Sequence, residues 1–146
     1  MIRRRLLIAC ALTLAVAASA AAQSAAKTYK GLELSVAGVT RATNVSLSDC
    51  PPGANTQRGV IKPGDTTEFA SVTVDFKVLP AFKPGAIAKP VLFDESGKAY
   101  NTAQSFGEIT GGSSFSCTFS FRVPKGAKVT KLAIDTTSFD LAALPQ

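Results

Sequence analysis

A main structural signal in the chain is the segment SSFSCTFSFRV, which spans Ser113 to Val123. From Phe115 onward, apolar side chains occupy every second position, and hydroxyl or charged side chains occupy the positions between them. Strict alternation is the pattern of a β-strand that packs one face on a core and turns the other to water. Because three phenylalanines share the apolar face, each contributing about 2–3 kcal/mol when buried, the segment predicts a main strand of the core.

A second alternating segment, SVTVDFKVL from Ser71 to Leu79, places Val or Phe at positions 72, 74, 76 and 78. Shorter segments of strand character recur along the chain, and none shows a helical period. They are Leu32–Val36, Val39–Arg41 after a bulge at Gly38, Val45–Leu47, Gly59–Ile61, Val91–Phe93, its hairpin partner Lys98–Asn101, Phe106–Ile109 and Val129–Thr136. Short strands separated by turns predict an all-β protein, a single domain folded as an immunoglobulin-like antiparallel β-sandwich.

The N-terminus has the pattern of a signal peptide. A positive start, Met1–Arg5, precedes an apolar run, Leu6–Ala18, and then small residues that end at Ala22. This order predicts export with cleavage after Ala22, and cleavage after Ala20 is the alternative. A retained membrane anchor and lipid attachment at Cys10 are the alternatives. We therefore expect a periplasmic or secreted protein whose mature chain has no transmembrane anchor.

The predicted signal peptide and strands divide the chain into four parts. Residues 1–22 are the removed signal peptide, 23–30 a flexible lead-in, 31–140 the sandwich and 141–146 a C-terminal tail. The sandwich includes an irregular stretch, residues 42–67, that is rich in proline and glycine. Irregular stretches of this length are unusual in compact domains, so we expect this one to be anchored.

The cysteines supply that anchor. Cys50 lies in the irregular stretch and Cys117 on the phenylalanine-rich strand, and both remain after cleavage. Two cysteines in an oxidising compartment predict one disulfide, to which the chain-entropy treatment of such a loop assigns roughly 4 kcal/mol. A two-cysteine metal or redox site is the alternative, but the spacing is wide and the chain has no His.

The composition excludes several classes of function. The absence of His excludes Ser-His-Asp and Cys-His catalysis and histidine-ligated metal sites. The formal net charge of +6 falls to +3 when Arg3, Arg4 and Arg5 leave with the signal peptide, which is too weak for a nucleic-acid partner. We expect no enzyme activity, no catalytic or metal-binding residues and no cofactor.

Two groups of charged residues remain as candidates. Asp94 and Glu95 are adjacent carboxylates, which suits Ca²⁺, but the following Ser-Gly is typical of a hairpin turn. Lysines at positions 77, 83, 89 and 98 suggest a modest basic surface for an anionic surface or an acidic partner. Solvated charges that discourage strand pairing at sheet edges are the alternative.

The best candidate contact lies in the segment LPAFKPGAI, Leu79–Ile87. Exposed apolar side chains in a loop often mark a binding site. We therefore expect Phe82, Lys83 and Ile87 to contact a partner. The alternative is that Phe82 and Ile87 tuck under the sandwich.

The order of several motifs resembles a known family. The motifs are DESGKAY at Asp94–Tyr100, Gly111–Gly112, FSFRVP at Phe119–Pro124 and KLAI at Lys131–Ile134. This order is similar to that of the bacterial immunoglobulin-like domains of unknown function found in secreted proteins and lipoproteins, which share the fold of the immunoprotective extracellular protein of mycobacteria. The chain departs at Pro80, where family members often have Asn. The resemblance implies an immunoglobulin-like envelope or secreted binding module. No functional residue carries over, because the shared motifs form turns and core.

We therefore expect an exported, non-catalytic binding module with an envelope or extracellular protein as its partner. Binding would use loops at one end of the sandwich or an exposed sheet edge. One alternative is a secreted enzyme inhibitor that inserts a rigid loop, 42–67 or 79–90, into a cleft of its target. Another is a carrier of a small apolar ligand, which needs a cavity inside the sandwich.

Overall fold

The computed structural model describes residues 23–53, 58–104 and 106–146, so the predicted signal peptide, 1–22, lies outside the described residues. Within these ranges the chain forms ten β-strands and no helix, which confirms the all-β prediction. The strands are β1 (Lys27–Tyr29), β2 (Leu32–Ala42), β3 (Val45–Leu47), β4 (Arg58–Ile61), β5 (Thr67–Val78), β6 (Val91–Asp94), β7 (Ala99–Asn101), β8 (Phe115–Pro124), β9 (Val129–Ile134) and β10 (Thr137–Asp140).

The strands form two four-stranded antiparallel sheets and a separate ribbon. The order is β1-β2-β5-β8 in the first sheet and β10-β9-β6-β7 in the second, and β3 pairs with β4. In the first sheet Val74 of β5 pairs with Val36 of β2 and with Cys117 of β8. The register shifts between Val36 and Gly38, where the glycine predicts a bulge.

One core fills the space between the two sheets. Val74 and Phe119 are both fully buried and belong to the same apolar cluster, to which the second sheet adds Leu132. The ring of Phe76 stacks on Phe115 with centroids 4.9 Å apart and meets Phe119 edge-on at 6.4 Å. Such pairs add about 0.5–1.5 kcal/mol beyond area burial. The two alternating segments thus share one interior, which confirms a single-domain β-sandwich.

The opposite face of β5 and β8 is lined with hydroxyl groups that pair across the strands. The pairs are Ser71 with Ser120 at 2.9 Å, Thr73 with Thr118 at 2.9 Å, and Ser116, which donates to Asp75. Alternation predicts that this face meets water, but Ser71 and Ser120 are only 5% and 4% exposed. Their burial costs little because each hydroxyl satisfies the other.

The segment expected as a flexible lead-in, residues 23–30, differs from that expectation. Residues Lys27–Tyr29 form β1 and pair with β2. Tyr29 is buried, and its hydroxyl donates to Asp135 at 2.7 Å. Pairing with the edge of β2 and the buried Tyr29 side chain hold this segment in place. Three residues are too few to show an alternating pattern in the sequence.

The C-terminal end differs in the same way. We expected the last strand to end at Thr136, with a tail over residues 141–146. The chain instead reverses at Asp135, whose φ is +53°, and returns as β10 beside β9. Leu141 and Leu144 are then buried in the core. The sequence does not signal this reversal, because the turn contains no glycine. Asp135 adopts the left-handed conformation instead, which Asp tolerates better than most residues.

The Asp94 carboxylate is held by hydrogen bonds within the β6–β7 hairpin turn. One oxygen accepts hydrogen bonds from the Ser96 backbone and hydroxyl and from the Lys98 backbone, and the other accepts from the Tyr100 hydroxyl at 2.7 Å. These bonds, chiefly those from Ser96 and Tyr100, lower the pKa of Asp94 to about 2. Burial, and then Asp94 itself, raise the pKa of Tyr100 to about 12. The turn interpretation of Asp94 therefore accounts for both carboxylate oxygens.

We predict that this pair sets the pH limits of the hairpin. The Asp94 pKa is depressed, so its stabilisation is complete above its ordinary value of 3.8 and is lost as pH falls toward about 2. The Tyr100 pKa is raised, so its contribution is lost as pH rises from 10.0 to about 12. Urea unfolding across pH should therefore show a shallower acid limb for Asp94→Asn and a shallower alkaline limb for Tyr100→Phe. Glu95→Gln is the matched charge control, and equal acid slopes for Asp94→Asn and wild type would contradict the assignment.

Candidate binding site at the disulfide end

Four chain segments meet at one end of the sandwich, which we call the disulfide end. The antiparallel registers bring Leu32 beside Val78, and Phe76 beside Phe115, at this end. The segments are the β1–β2 turn at Lys30–Gly31, the loop 79–90, the segment 106–114 and the segment 49–53.

The disulfide between Cys50 and Cys117 lies just below this surface, which confirms the predicted pairing. Their Cα atoms are 5.7 Å apart, and both residues are buried. The backbone carbonyl of Cys50 accepts a hydrogen bond from the Gly107 N–H at 2.7 Å, and Cys50 forms an isolated bridge with Phe106. The crosslink therefore fixes segment 49–53 to strand β8 and to segment 106–114 together.

Sequence reasoning missed Gln104, which holds the same loop from the other side. Its side chain is 2% exposed, and its Nε2 donates to the backbone carbonyl of Ser48. The backbone N–H of Gln104 is bonded in turn to the Thr102 hydroxyl at 3.2 Å. A single glutamine in an irregular segment gives no periodic signal, so only the packing identifies its positioning role.

The segment 106–109, predicted as a short strand, instead makes isolated bridges to two different loops. Phe106 bridges Cys50, and Ile109 exchanges two backbone hydrogen bonds of 3.1 Å with Gly85. Two clefts adjoin the Gly85–Ile109 bridge. The first, the disulfide cleft, has a volume of about 660 Å³. Its lining comprises Asp49–Gly53 and Phe106–Ser113 together with Phe115.

The second cleft, the lysine cleft, has a volume of about 430 Å³. It adjoins the first, because Gly85 in its lining is bridged to Ile109 in the lining of the disulfide cleft. It is lined by Lys30 and by the loop residues Ala81–Ile87. The amine of Lys30 lies 5.1 Å from the Tyr29 ring centroid and 3.9 Å from the Asp135 carboxylate. Tyr29 first, and Asp135 to a smaller extent, raise the pKa of Lys30, so this amine is charged at neutral pH.

The loop that forms the lysine cleft is held against the β1–β2 turn. The Leu79 N–H donates to the Gly31 carbonyl at 3.0 Å, and the Phe82 N–H donates to the Leu79 carbonyl at 2.9 Å. A Cβ on Gly31 would lie 2.6 Å from the Phe82 Cα and 2.7 Å from its backbone nitrogen. Gly31, with φ at +79°, is thus required both by its conformation and by this close approach.

The structure brings the three predicted contact residues to one cleft but exposes them unequally. Lys83 is exposed, Phe82 is half-buried, and Ile87 is 8% exposed and belongs to the core cluster. The alternative in which Ile87 tucks under the sandwich therefore holds, because the Gly85–Ile109 bridge turns the chain inward there. Ile87 contributes to the floor of the cleft and does not present an exposed apolar side chain.

The four lysines of the predicted basic surface do not form one patch. Lys77 pairs with Glu33 at 3.2 Å, and Lys98 lies over the Tyr100 ring at 5.3 Å within the β6–β7 hairpin. Lys83 lines the lysine cleft, and Lys89 follows in the same loop. The described residues contain no group of three or more acidic or cysteine side chains placed to hold a metal ion.

We predict that the disulfide supplies a large share of the stability. Without the crosslink the unfolded chain gains loop entropy, so the Cys50→Ser/Cys117→Ser variant should lose about 2–5 kcal/mol of unfolding free energy. Urea unfolding followed by circular dichroism measures this loss, and wild-type protein after reduction is the control. The oxidised protein should be lighter than its reduced form by two hydrogens. An unchanged mass on reduction would contradict the presence of the disulfide.

We also predict that Gly31→Ala costs more stability than Gly97→Ala. The two glycines have φ values of +79° and +81°, but a Cβ on Gly97 would have no neighbour within 4 Å. The left-handed backbone alone costs about 1–2 kcal/mol for Ala. The excess loss at Gly31, measured by urea unfolding, reports the contact with the Phe82 backbone. Equal losses for the two variants would mean that the loop does not lie against the turn.

Comparisons with known proteins support the fold. No family model and no curated protein matches the chain. An uncharacterized β-sandwich protein from Clostridium difficile 630 is similar in structure, with a TM-score of 0.53, 8% sequence identity, and coverage of 79% of this chain and 87% of that one. A conserved hypothetical protein from Bacillus anthracis has a TM-score of 0.52 at 15% identity, covering 82% of this chain and 96% of that one.

In the described part of the chain, no helix has the length and apolar character needed to cross a membrane. At 8% and 15% sequence identity the two structural neighbours support the fold alone. They agree with the chain in one respect, the β-sandwich fold.

Proposed function

We propose that the protein is an exported, non-catalytic binding module that takes its partner at the disulfide end of the sandwich. The observation that supports this most directly is the pair of clefts that adjoin the Gly85–Ile109 bridge. Their walls are loops held by a disulfide, by backbone hydrogen bonds and by a glycine contact. Rigid walls reduce the entropy lost on binding, which is the usual advantage of a preformed site.

Export is part of this proposal. The charged start, the apolar run and the small residues ending at Ala22 have the order of a signal peptide. The Cys50–Cys117 disulfide is compatible with an oxidising compartment. We propose the periplasm or the extracellular medium as the location, and an envelope or extracellular protein as the partner.

The immunoglobulin-like assignment is also part of the proposal. Two four-stranded antiparallel sheets packed face to face suit it, and the DESGKAY motif, Asp94–Tyr100, forms the hairpin turn that the family resemblance implies. Modules of this architecture commonly bind through loops gathered at one end. Catalysis is not proposed, because the chain has no His and the Asp94 carboxylate is engaged by hydrogen bonds within the hairpin turn.

Inhibition of a secreted enzyme is a second candidate function. Pro52 and Gly53 are exposed directly after the buried Cys50, so this loop tip is both accessible and anchored. An inhibitor of this kind should lose potency when Pro52 is replaced by Asp. The carrier alternative requires an internal cavity, whereas the disulfide cleft and the lysine cleft both open at the surface.

The proposed site predicts which surface changes abolish partner capture. Mature protein carrying Lys83→Glu or Ala86→Glu should lose its partner from an envelope extract, because both exposed residues line the lysine cleft. Lys125→Glu and Ala143→Glu make the same chemical changes at exposed positions outside both clefts and should retain it. Captured proteins are quantified by mass spectrometry, with circular dichroism to check folding.

Retention of every captured protein by both lysine-cleft variants would contradict binding at that cleft. Retention also by Pro52→Asp and Phe106→Ser, which alter the disulfide cleft, would contradict the proposed function as a whole.

A further inference from the structure

We propose that the lysine cleft binds the free C-terminal carboxylate of a peptide whose last side chain is apolar. This inference rests on the proposed binding function and names the chemistry of the partner at one of its two clefts. It follows from the charge, the apolar lining, the size and the rigidity of the cleft, each of which points to the same ligand.

The charge of the cleft is entirely positive. Lys30 and Lys83 are the charged side chains in its lining. Lys83 makes no ion pair with any residue that the structure describes. Lys30 faces Asp135 only at 3.9 Å, with 57% and 43% of the two side chains exposed, so water screens that attraction. The two amines therefore leave net positive charge for a ligand anion to neutralise.

The rest of the lining is apolar. Ala81, Phe82, Pro84, Ala86 and Ile87 form it. Phe82 and Ile87 pack against the core cluster, so the floor of the cleft is fixed by the sandwich itself. A ligand that places a carboxylate beside an apolar side chain matches both parts of this surface.

The size and shape of the cleft favour a chain terminus over a long acyl chain. A volume of about 430 Å³ lies within the range of about 300–1,000 Å³ that is usual for ligand sites. The cleft opens at the surface, so a terminal residue fits while the preceding residues leave toward solvent. A fatty acid of the same volume would keep much of its chain in water along the open side, which forfeits the benefit of burial.

The test uses the mature protein and one fluorescent pentapeptide, Gly-Ser-Gly-Gly-Leu with fluorescein at its N-terminus, made as the free acid and as the amide. Fluorescence anisotropy should show the acid binding at least about 10-fold more tightly than the amide, the ratio typical of one charge-assisted contact. Lys83→Ala should remove most of that difference, Lys83→Arg should keep it, and Lys125→Ala should leave it unchanged. A free acid ending in Ser should bind more weakly than the acid ending in Leu.

Four results would overturn the inference. The first three are equal affinity for acid and amide, loss of acid binding with Lys125→Ala as well as Lys83→Ala, and no saturable binding at about 1 mM protein, where the binding free energy is only about −4 kcal/mol. Displacement of the peptide by dodecanoate at a lower concentration than by acetyl-leucine would assign the cleft to a lipid and also overturn it. If the carboxylate test fails while Lys83→Glu still abolishes partner capture, the proposed function stands without this ligand. If both fail, binding at the lysine cleft is wrong, and partner capture by Pro52→Asp and Phe106→Ser decides whether the proposed function stands.

Discussion

The pairing of β5 with β8 is the constraint on which the rest of the molecule depends. The two strands stay in register from Thr67 opposite Pro124 to Phe76 opposite Phe115. One shared face supplies the aromatic centre of the core, and the other is closed by hydroxyl-to-hydroxyl and hydroxyl-to-carboxylate hydrogen bonds. Because side chains alternate strictly, a slip of one residue would turn the phenylalanines outward and the hydroxyls inward. A slip in register would therefore lose apolar burial on one face and hydrogen bonds on the other, so both faces favour the observed register.

The register of β5 and β8 also determines how the loops at the disulfide end are held. It places Cys117 opposite Val74, just below the disulfide end, and the disulfide then holds Cys50 there. From Cys50 a continuous set of contacts leads through Gly107 and along its segment to Gly85. The loop that contains Gly85 is fixed again where it crosses Gly31. Covalent and hydrogen-bonded links thus connect the core to both clefts, so loops without regular secondary structure acquire defined walls.

The sequence predicted those elements that have an alternating pattern or a characteristic turn residue. Alternation identified β5 and β8, glycine identified the bulge in β2, and the Asp-Glu-Ser-Gly turn identified the β6–β7 hairpin. It missed β1 and β10, because three or four residues on a sheet edge are ordered by their neighbours rather than by their own pattern. At the candidate site it selected a loop that lines a cleft. It gave the burial of Ile87 only as an alternative, because that burial depends on the distant partner Ile109. Non-local pairing of this kind leaves no trace in a single sequence.

Contacts at the sheet edges support the proposal that a partner binds at the loops. An open edge offers unpaired backbone groups to a partner strand, but in this sandwich the edges of the two main sheets meet in pairs. On one side Lys27 of β1 donates to the Ser138 carbonyl of β10 and covers the Phe139 ring. On the other side Thr102, just after β7, bridges Phe121 of β8. At these points each edge contacts the opposite sheet, and a partner strand that paired there would have to displace the contact. The clefts at the disulfide end require no such loss, which favours them as the place where a partner is bound.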